Sequence, residues 1–259
     1  MSAIHDRAHD YAFLIRRWRK LARRAGLRMV KYAEAGGYEL FYLESIQPEE
    51  AAPAIYLSAG IHGDEAGATE GLWAWAEKDP DRIRSLNLMI FPCLNPWGLV
   101  NNSRFDAEGR DLNRGYRLDK VPQLAAQVRV MVGRRFHLAL TLHEDYDGRG
   151  NYVYEVASRR PYWGEQILAA EKRIPVDRRR RIDGRPARAG VLRSKPTLDL
   201  RPDWPEAFVL HFSSADRTFT LETPSEFSIP ERAGAHQKMI ARAVQLARKE
   251  AKSNPSFPL

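Results

Sequence analysis

The 259-residue sequence predicts an α/β fold, with a mixed, largely parallel twisted sheet carrying helices on both faces. Three observations carry that expectation. Short apolar runs such as AIYLSAG (54–60) and HLALTLHED (137–145) read as buried strands. Helical patterns separate those runs, and no internal repeat breaks the alternation. With 44% hydrophobic residues, the length suits one large core, so residues 1–259 are read as a single domain.

In chain order, residues 8–26 set Tyr11, Leu14, Ile15, Trp18, Leu21 and Ala22 at helical spacing and stop at Gly26. GYELFYLESI (37–46) alternates like a strand, and 54–60 follows as a mostly buried one. A helix is expected from about Gly67 to Glu77, ending before Asp79-Pro80. LNLMIFPCLNP (86–96) reads as a strand stopped by an Asn-Pro-Trp-Gly turn. A helix around 122–135, the strand 137–145, a strand at 151–158 and a helix at 161–173 come next. FVLHFSS (208–214) and FTLETPS (219–225) are expected as strands, and 230–252 as a long closing helix behind Pro230.

Composition narrows the function classes. No apolar run is long enough to span a bilayer, so no membrane partner is expected. The single cysteine, Cys93, excludes an internal disulfide and, with no apolar leader segment, suggests the cytoplasm. A net charge of +8 suits nucleic acid, an anionic surface or an acidic ligand. The densest basic run, DRRRRIDGRPARAG (177–190), has arginine and turn-former character and is read first as a solvated loop. No zinc-finger spacing, RNA-binding signature or recognition helix accompanies it, so nucleic-acid binding stays the weakest alternative.

Parallel sheets gather ligands at the carboxyl ends of their strands. Three polar clusters sit at such ends: His62 to Glu65 in SAGIHGDEAG, His143 to Asp145, and Glu222. A catalytic zinc ion takes three ligands drawn from His and Glu and keeps a position for water. His62 and Glu65, separated by two residues in a glycine-bounded turn, can aim at one point, with His143 supplying the third ligand. The H-x-x-E spacing is weak alone; its place between a buried strand and a helix strengthens it. His5, His9, His137, His211 and His236 are read as structural.

GIHGDEAG, NPWGLVNNSRFDAEGRDLNRGY, TLHED and FTLETPS, in this order over residues 55–225, together resemble the zinc carboxypeptidase family, the funnelins. They look most like its short bacterial branch, near murein-tripeptide amidases and the succinylglutamate desuccinylase/aspartoacylase group. The resemblance implies a zinc carboxypeptidase-like three-layer sandwich and one zinc ion on His62, Glu65 and His143. It implies Asp111 as the acid holding the first metal histidine and Glu222 as general acid/base. It implies Arg104 at the oxyanion, and Asn113 with Arg114 gripping a substrate carboxylate; Arg110 is left as surface. The implied activity is hydrolysis of an amide beside a free carboxylate in a small peptide, with a murein peptide as one candidate substrate. N-acyl amino acid deacylation is the alternative. The mobile tyrosine of larger family members is missing or replaced, since no tyrosine follows Tyr162. Glu144 and Asp145 are read slightly in favour of loop surface, and the arginine-rich segment could form part of the rim.

Overall fold

The computed structural model describes residues 6–117, 121–157, 160–194 and 203–253. His5 lies outside them. The first helix, α1 (Tyr11–Ala25), is capped by Asp10, whose side chain accepts from the Phe13 amide. It ends at Gly26, which takes a left-handed φ of 65°. Its apolar stripe buries Leu14, Trp18 and Leu21, as the spacing predicts.

Eight strands form one sheet in the order β1-β2-β4-β3-β5-β10-β6-β9. They are β1 (Leu27–Ala35), β2 (Tyr38–Ser45), β3 (Ala54–Ser58), β4 (Asn87–Phe91), β5 (Leu138–Asp145), β6 (Tyr152–Ala157), β9 (Val191–Ser194) and β10 (Arg217–Pro224). A two-stranded ribbon, β7 (Arg181–Ile182) with β8 (Arg185–Pro186), stands beside it. The four central strands, β4, β3, β5 and β10, run parallel, and antiparallel pairs join β2 to β4 and β10 to β6. This is the mixed, largely parallel sheet expected. β1 and β9 are additions the sequence reading did not contain; β1 is half-exposed along most of its length, so its alternation is weak.

Helices α2 (Ala66–Lys78), α3 (Pro80–Arg84), α4 (Pro96–Asn101), α5 (Pro122–Met131), α6 (Gly164–Leu168), α7 (Glu206–Val209) and α8 (Ile229–Ser253) complete the fold. α2 packs closely on α8 because Gly71 gives the backbone room: a Cβ there would lie 2.5 Å from the His236 Cβ. Among the described residues, no helix is long and apolar enough to cross a membrane.

Several expectations change. The Asn-Pro-Trp-Gly segment is the start of α4, with Asn95 Oδ1 accepting from the Gly98 amide at 2.9 Å. The helices at 122–135 and 161–173 are shorter, 122–131 and 164–168. The largest correction is 208–214, which is helical, not a strand: α7 continues into a π-helical turn, Leu210–Ser214. Trp204, just before α7, packs ring against ring with Phe208 and Phe212, which sit one turn apart, and the Trp204–Phe212 centroids are at 5.2 Å. Their apolar character mimicked a buried strand.

Candidate metal centre

The loop after β3 is built by close backbone approach. Gly60 has a φ of 64°. Gly63 lies against α4, where a Cβ would come within 1.9 Å of the Gly98 carbonyl carbon, and its amide donates to Ser103 O at 3.0 Å. This seating holds His62 and Glu65 at the carboxyl edge of the sheet. Glu65 occupies the N-cap position of α2 without capping it. Its carboxylate turns instead to His62 Nδ1 at 2.6 Å and His143 Nδ1 at 3.0 Å.

His143 stands on β5, directly opposite Glu222 on β10 in the strand register. One donor atom from each of His62, Glu65 and His143 lies within 4.8 Å of the other two, and all three residues are buried. The imidazole rings are 4.9 Å apart. Two imidazoles and a carboxylate form a donor set that a divalent transition ion accepts. Glu65 Oε2 is buried, and although His143 Nδ1 lies 3.0 Å away it makes no aligned hydrogen bond among the described residues, which leaves a lone pair for such an ion. The residues therefore fit a metal.

The charges here lean on one another. Burial opposes the His62 imidazolium, but the Glu65 charge and the bonds to Asp111 and Glu65 outweigh it and raise His62 to about 9. Burial would raise Glu65, yet His62 and His143 pull it to about 2. Asp111 Oδ1 lies 3.3 Å from His62 Nε2, and its Oδ2 accepts from Arg104 Nη2 at 2.9 Å and Nε at 3.2 Å. A carboxylate on the far imidazole nitrogen fixes the tautomer and the ring orientation. Arg104 Nη1 reaches to 3.3 Å of His62 Nδ1.

A cavity of about 350 Å³ opens over this cluster and is lined by Arg104, Asn113, Arg114 and Glu222 together with the three candidate ligands. Every residue singled out from the motifs thus faces one space or contacts a residue that does. Glu222 is 8% exposed and makes no side-chain hydrogen bond or ion pair among the described residues. Burial, then the Glu65, Asp145 and Glu144 carboxylates, push it well above the usual range against the pull of Arg104. Asn113 lies in a 3-10 turn, Leu112–Arg114, capped by Asp111. Arg114 is exposed and donates to Asn113 O at 2.9 Å.

Two expectations need correcting. Glu144 is not loop surface: it is buried against Gly67 and ion-paired with Arg232 of α8. Burial and Glu65 push its carboxyl upward against the pull of Arg232. Asp145 accepts from Tyr152 OH at 2.9 Å. The arginine-rich segment is not a simple solvated loop either. Arg179 binds buried Asp177, and Asp183 and Arg185 of the β7–β8 ribbon line the cavity. Arg110 pairs with Asp106 and Glu108 away from the cavity lining. His211 sits on the π-helical turn, whereas His236, fully buried, approaches Thr223 Oγ1 at 3.2 Å.

The motifs missed Tyr152 and Tyr154 on β6, which also line the cavity. Tyr152 stands opposite Glu222 in register, and the alternation in NYVYEVAS was the available signal. Glu206 was missed as well. It is 1% exposed, and no spacing links it to its partners.

Residues 51–170 match the succinylglutamate desuccinylase/aspartoacylase catalytic domain. Among solved structures, a candidate metallopeptidase from Shewanella amazonensis SB2B superposes with a TM-score of 0.81 at 23% identity, over 93% of this chain and 94% of that one. A second, from Shewanella baltica OS155, gives 0.80 at 22%, over 93% of both chains. A metallo-carboxypeptidase from Pseudomonas aeruginosa, in complex with (2-guanidinoethylmercapto)succinic acid, gives 0.68 at 18%, over 93% of this chain and 69% of that one. No curated protein matches in sequence. At these identities the structural likenesses speak to the fold. With the four motifs, the domain match makes residues 51–170 similar to the succinylglutamate desuccinylase/aspartoacylase catalytic domain, on a fold shared with metallopeptidases and metallo-carboxypeptidases.

Proposed function

We propose that the protein is a zinc-dependent hydrolase, a metallocarboxypeptidase or amidase, that cleaves an amide bond next to a free carboxylate in a small peptide. One observation carries this reading: the His62, Glu65 and His143 donor atoms converge at a cavity that also holds Arg104, Arg114 and a buried Glu222 that is unpaired among the described residues. His62, Glu65 and His143 would hold one zinc ion, which supplies an acidified water and a Lewis acid when bound.

The chain's own groups supply the rest. Glu222 takes the proton of the attacking water and returns it to the departing nitrogen; its upward-shifted affinity for protons suits a group that must carry one. Arg104 places positive charge beside the oxygen that becomes anionic. Asn113 and Arg114 receive the substrate carboxylate, Arg114 through its planar donors. The lone Cys93, a buried thiol, is consistent with a cytoplasmic setting.

A second reading is favoured by the domain match over residues 51–170: N-acyl amino acid deacylation. Both reactions break an amide beside a carboxylate. The zinc-loaded protein should be offered dipeptides, γ-linked murein peptides and N-acyl amino acids. Turnover of a peptide class supports the first reading; turnover of acyl amino acids alone replaces it with the second.

A further inference from the structure

We infer that Glu206 is the positioning residue that sets the orientation of the Asn113 amide, and through it the affinity of the site for a carboxylate. This rests on the carboxylate-binding role proposed for Asn113. The Glu206 backbone N–H lies 2.9 Å from Asn113 Oδ1. A backbone N–H can only donate, so the Asn113 atom facing it is the oxygen. The amide nitrogen, Nδ2, is thereby turned away from α7 and has no hydrogen-bond partner among the described residues, while Asn113 lines the cavity. An acceptor oxygen in the cavity then meets a donor, not a repelling carbonyl. At its other end Asn113 is tied by its own amide to Asp111 Oδ1 at 2.9 Å, so both flanks of the residue are held.

What holds Glu206 is its buried carboxyl. Oε1 accepts from Tyr56 OH at 2.5 Å and Gln127 Nε2 at 2.9 Å, and Oε2 accepts from Ser58 Oγ at 2.9 Å. Tyr56 and Ser58 belong to β3, the strand that leads to His62, and Gln127 belongs to α5. Gln127 Nε2 also donates to Tyr56 OH, and Gln127 Oε1 accepts from Tyr116 OH, both at 2.7 Å. The network pins the first residue of α7 to the central sheet. Glu206 forms no ion pair among the described residues and does not line the cavity, so it acts through Asn113.

The test is a double-mutant cycle on the zinc-loaded enzyme, read as KM and kcat for the substrate that the panel identifies, with zinc content as a control. Asn113→Ala should raise KM about tenfold or more, the loss of one hydrogen bond to a charged group. Glu206→Ala should raise KM similarly with kcat within about threefold, and should add little in the Asn113→Ala background, because coupled residues are not additive. Glu206→Gln should restore KM, since its amide can fill the same hydrogen-bonding positions. Glu206→Pro, which removes the donor N–H at a helix position that tolerates proline, should raise KM at least as far as Glu206→Ala. If Glu206→Ala does not fold, Tyr56→Phe with Ser58→Ala loosens the same anchor and should raise KM in the same direction. Additive KM effects of the two single variants, or an unchanged KM in folded Glu206→Ala, overturn the inference while leaving the role of Asn113 standing. An unchanged KM in Asn113→Ala withdraws that role and the inference together.

Discussion

The two ends of β10 treat a buried ionisable group in opposite ways. At its start, Arg217 is fully buried, and each nitrogen of its guanidinium has an acceptor. Nε and Nη2 donate to the Glu250 carboxylate at 3.0 and 2.7 Å, Nη1 donates to Pro161 O at 3.0 Å, and Cζ lies 4.2 Å from the centroid of the Trp163 ring. At its other end Glu222 is nearly as buried and has no such partner among the described residues. A buried charge with all its partners tightens a fold. One without them costs stability, and persists where a ligand or a reaction uses it.

That contrast can be broken by substitution. Glu222→Gln should lower hydrolysis roughly 10²–10⁴-fold, the usual cost of losing a general acid–base group, while zinc content and fold stability are kept. Thermal unfolding beside a rate assay checks this, and undiminished turnover would remove Glu222 from the chemistry. Arg217→Ala should do the reverse. Removing the fully buried guanidinium and its two bonds to Glu250 should cost about 3 kcal/mol or more of stability in denaturant titration, with zinc binding unchanged. Equal stability would mean that Arg217 is as idle as an exposed arginine.

A buried histidine sharpens the comparison. Burial lowers His236 from 6.5 to about 3, so the folded chain holds it neutral. Its contribution is complete above pH 6.5 and is lost as pH falls toward 3, because the unfolded chain takes up the proton first. Wild type minus His236→Asn should therefore show a stability difference that falls by up to about 1.4 kcal/mol per pH unit in that window. A flat difference would mean that His236 is not held neutral. The smallest effect belongs to a surface pair: Glu77→Gln, facing Arg24 at 2.7 Å with both side chains partly exposed, should cost less than about 1 kcal/mol.

Much of the architecture was legible because burial and periodicity coincide. The stripe of α1, the runs of β3 and β5 and the long α8 are each written in adjacent residues. The misread 208–214 segment fails for a physical reason: apolar residues at four-residue spacing fill helix turns here, yet a short apolar run looks the same in either state. At the site, His62, Glu65 and His143 were visible as polar residues interrupting strand ends. The motifs carried Asp111 and Glu222. Glu144 was misjudged because its partner, Arg232, lies 88 residues away. Glu206 was invisible for the same reason, since its meaning depends on Tyr56, Gln127 and Asn113 meeting in space.

The metal itself offers the most direct test. Metal-stripped protein should be dialysed against zinc and its content measured, for wild type and for the His62→Ala, Glu65→Ala and His143→Ala variants, with folding checked by circular dichroism. We expect about one ion per wild-type chain and a loss of tight binding in each folded variant. Wild type that takes up no ion, or folded variants that bind it as tightly as wild type, would contradict the convergence of these three side chains on a metal.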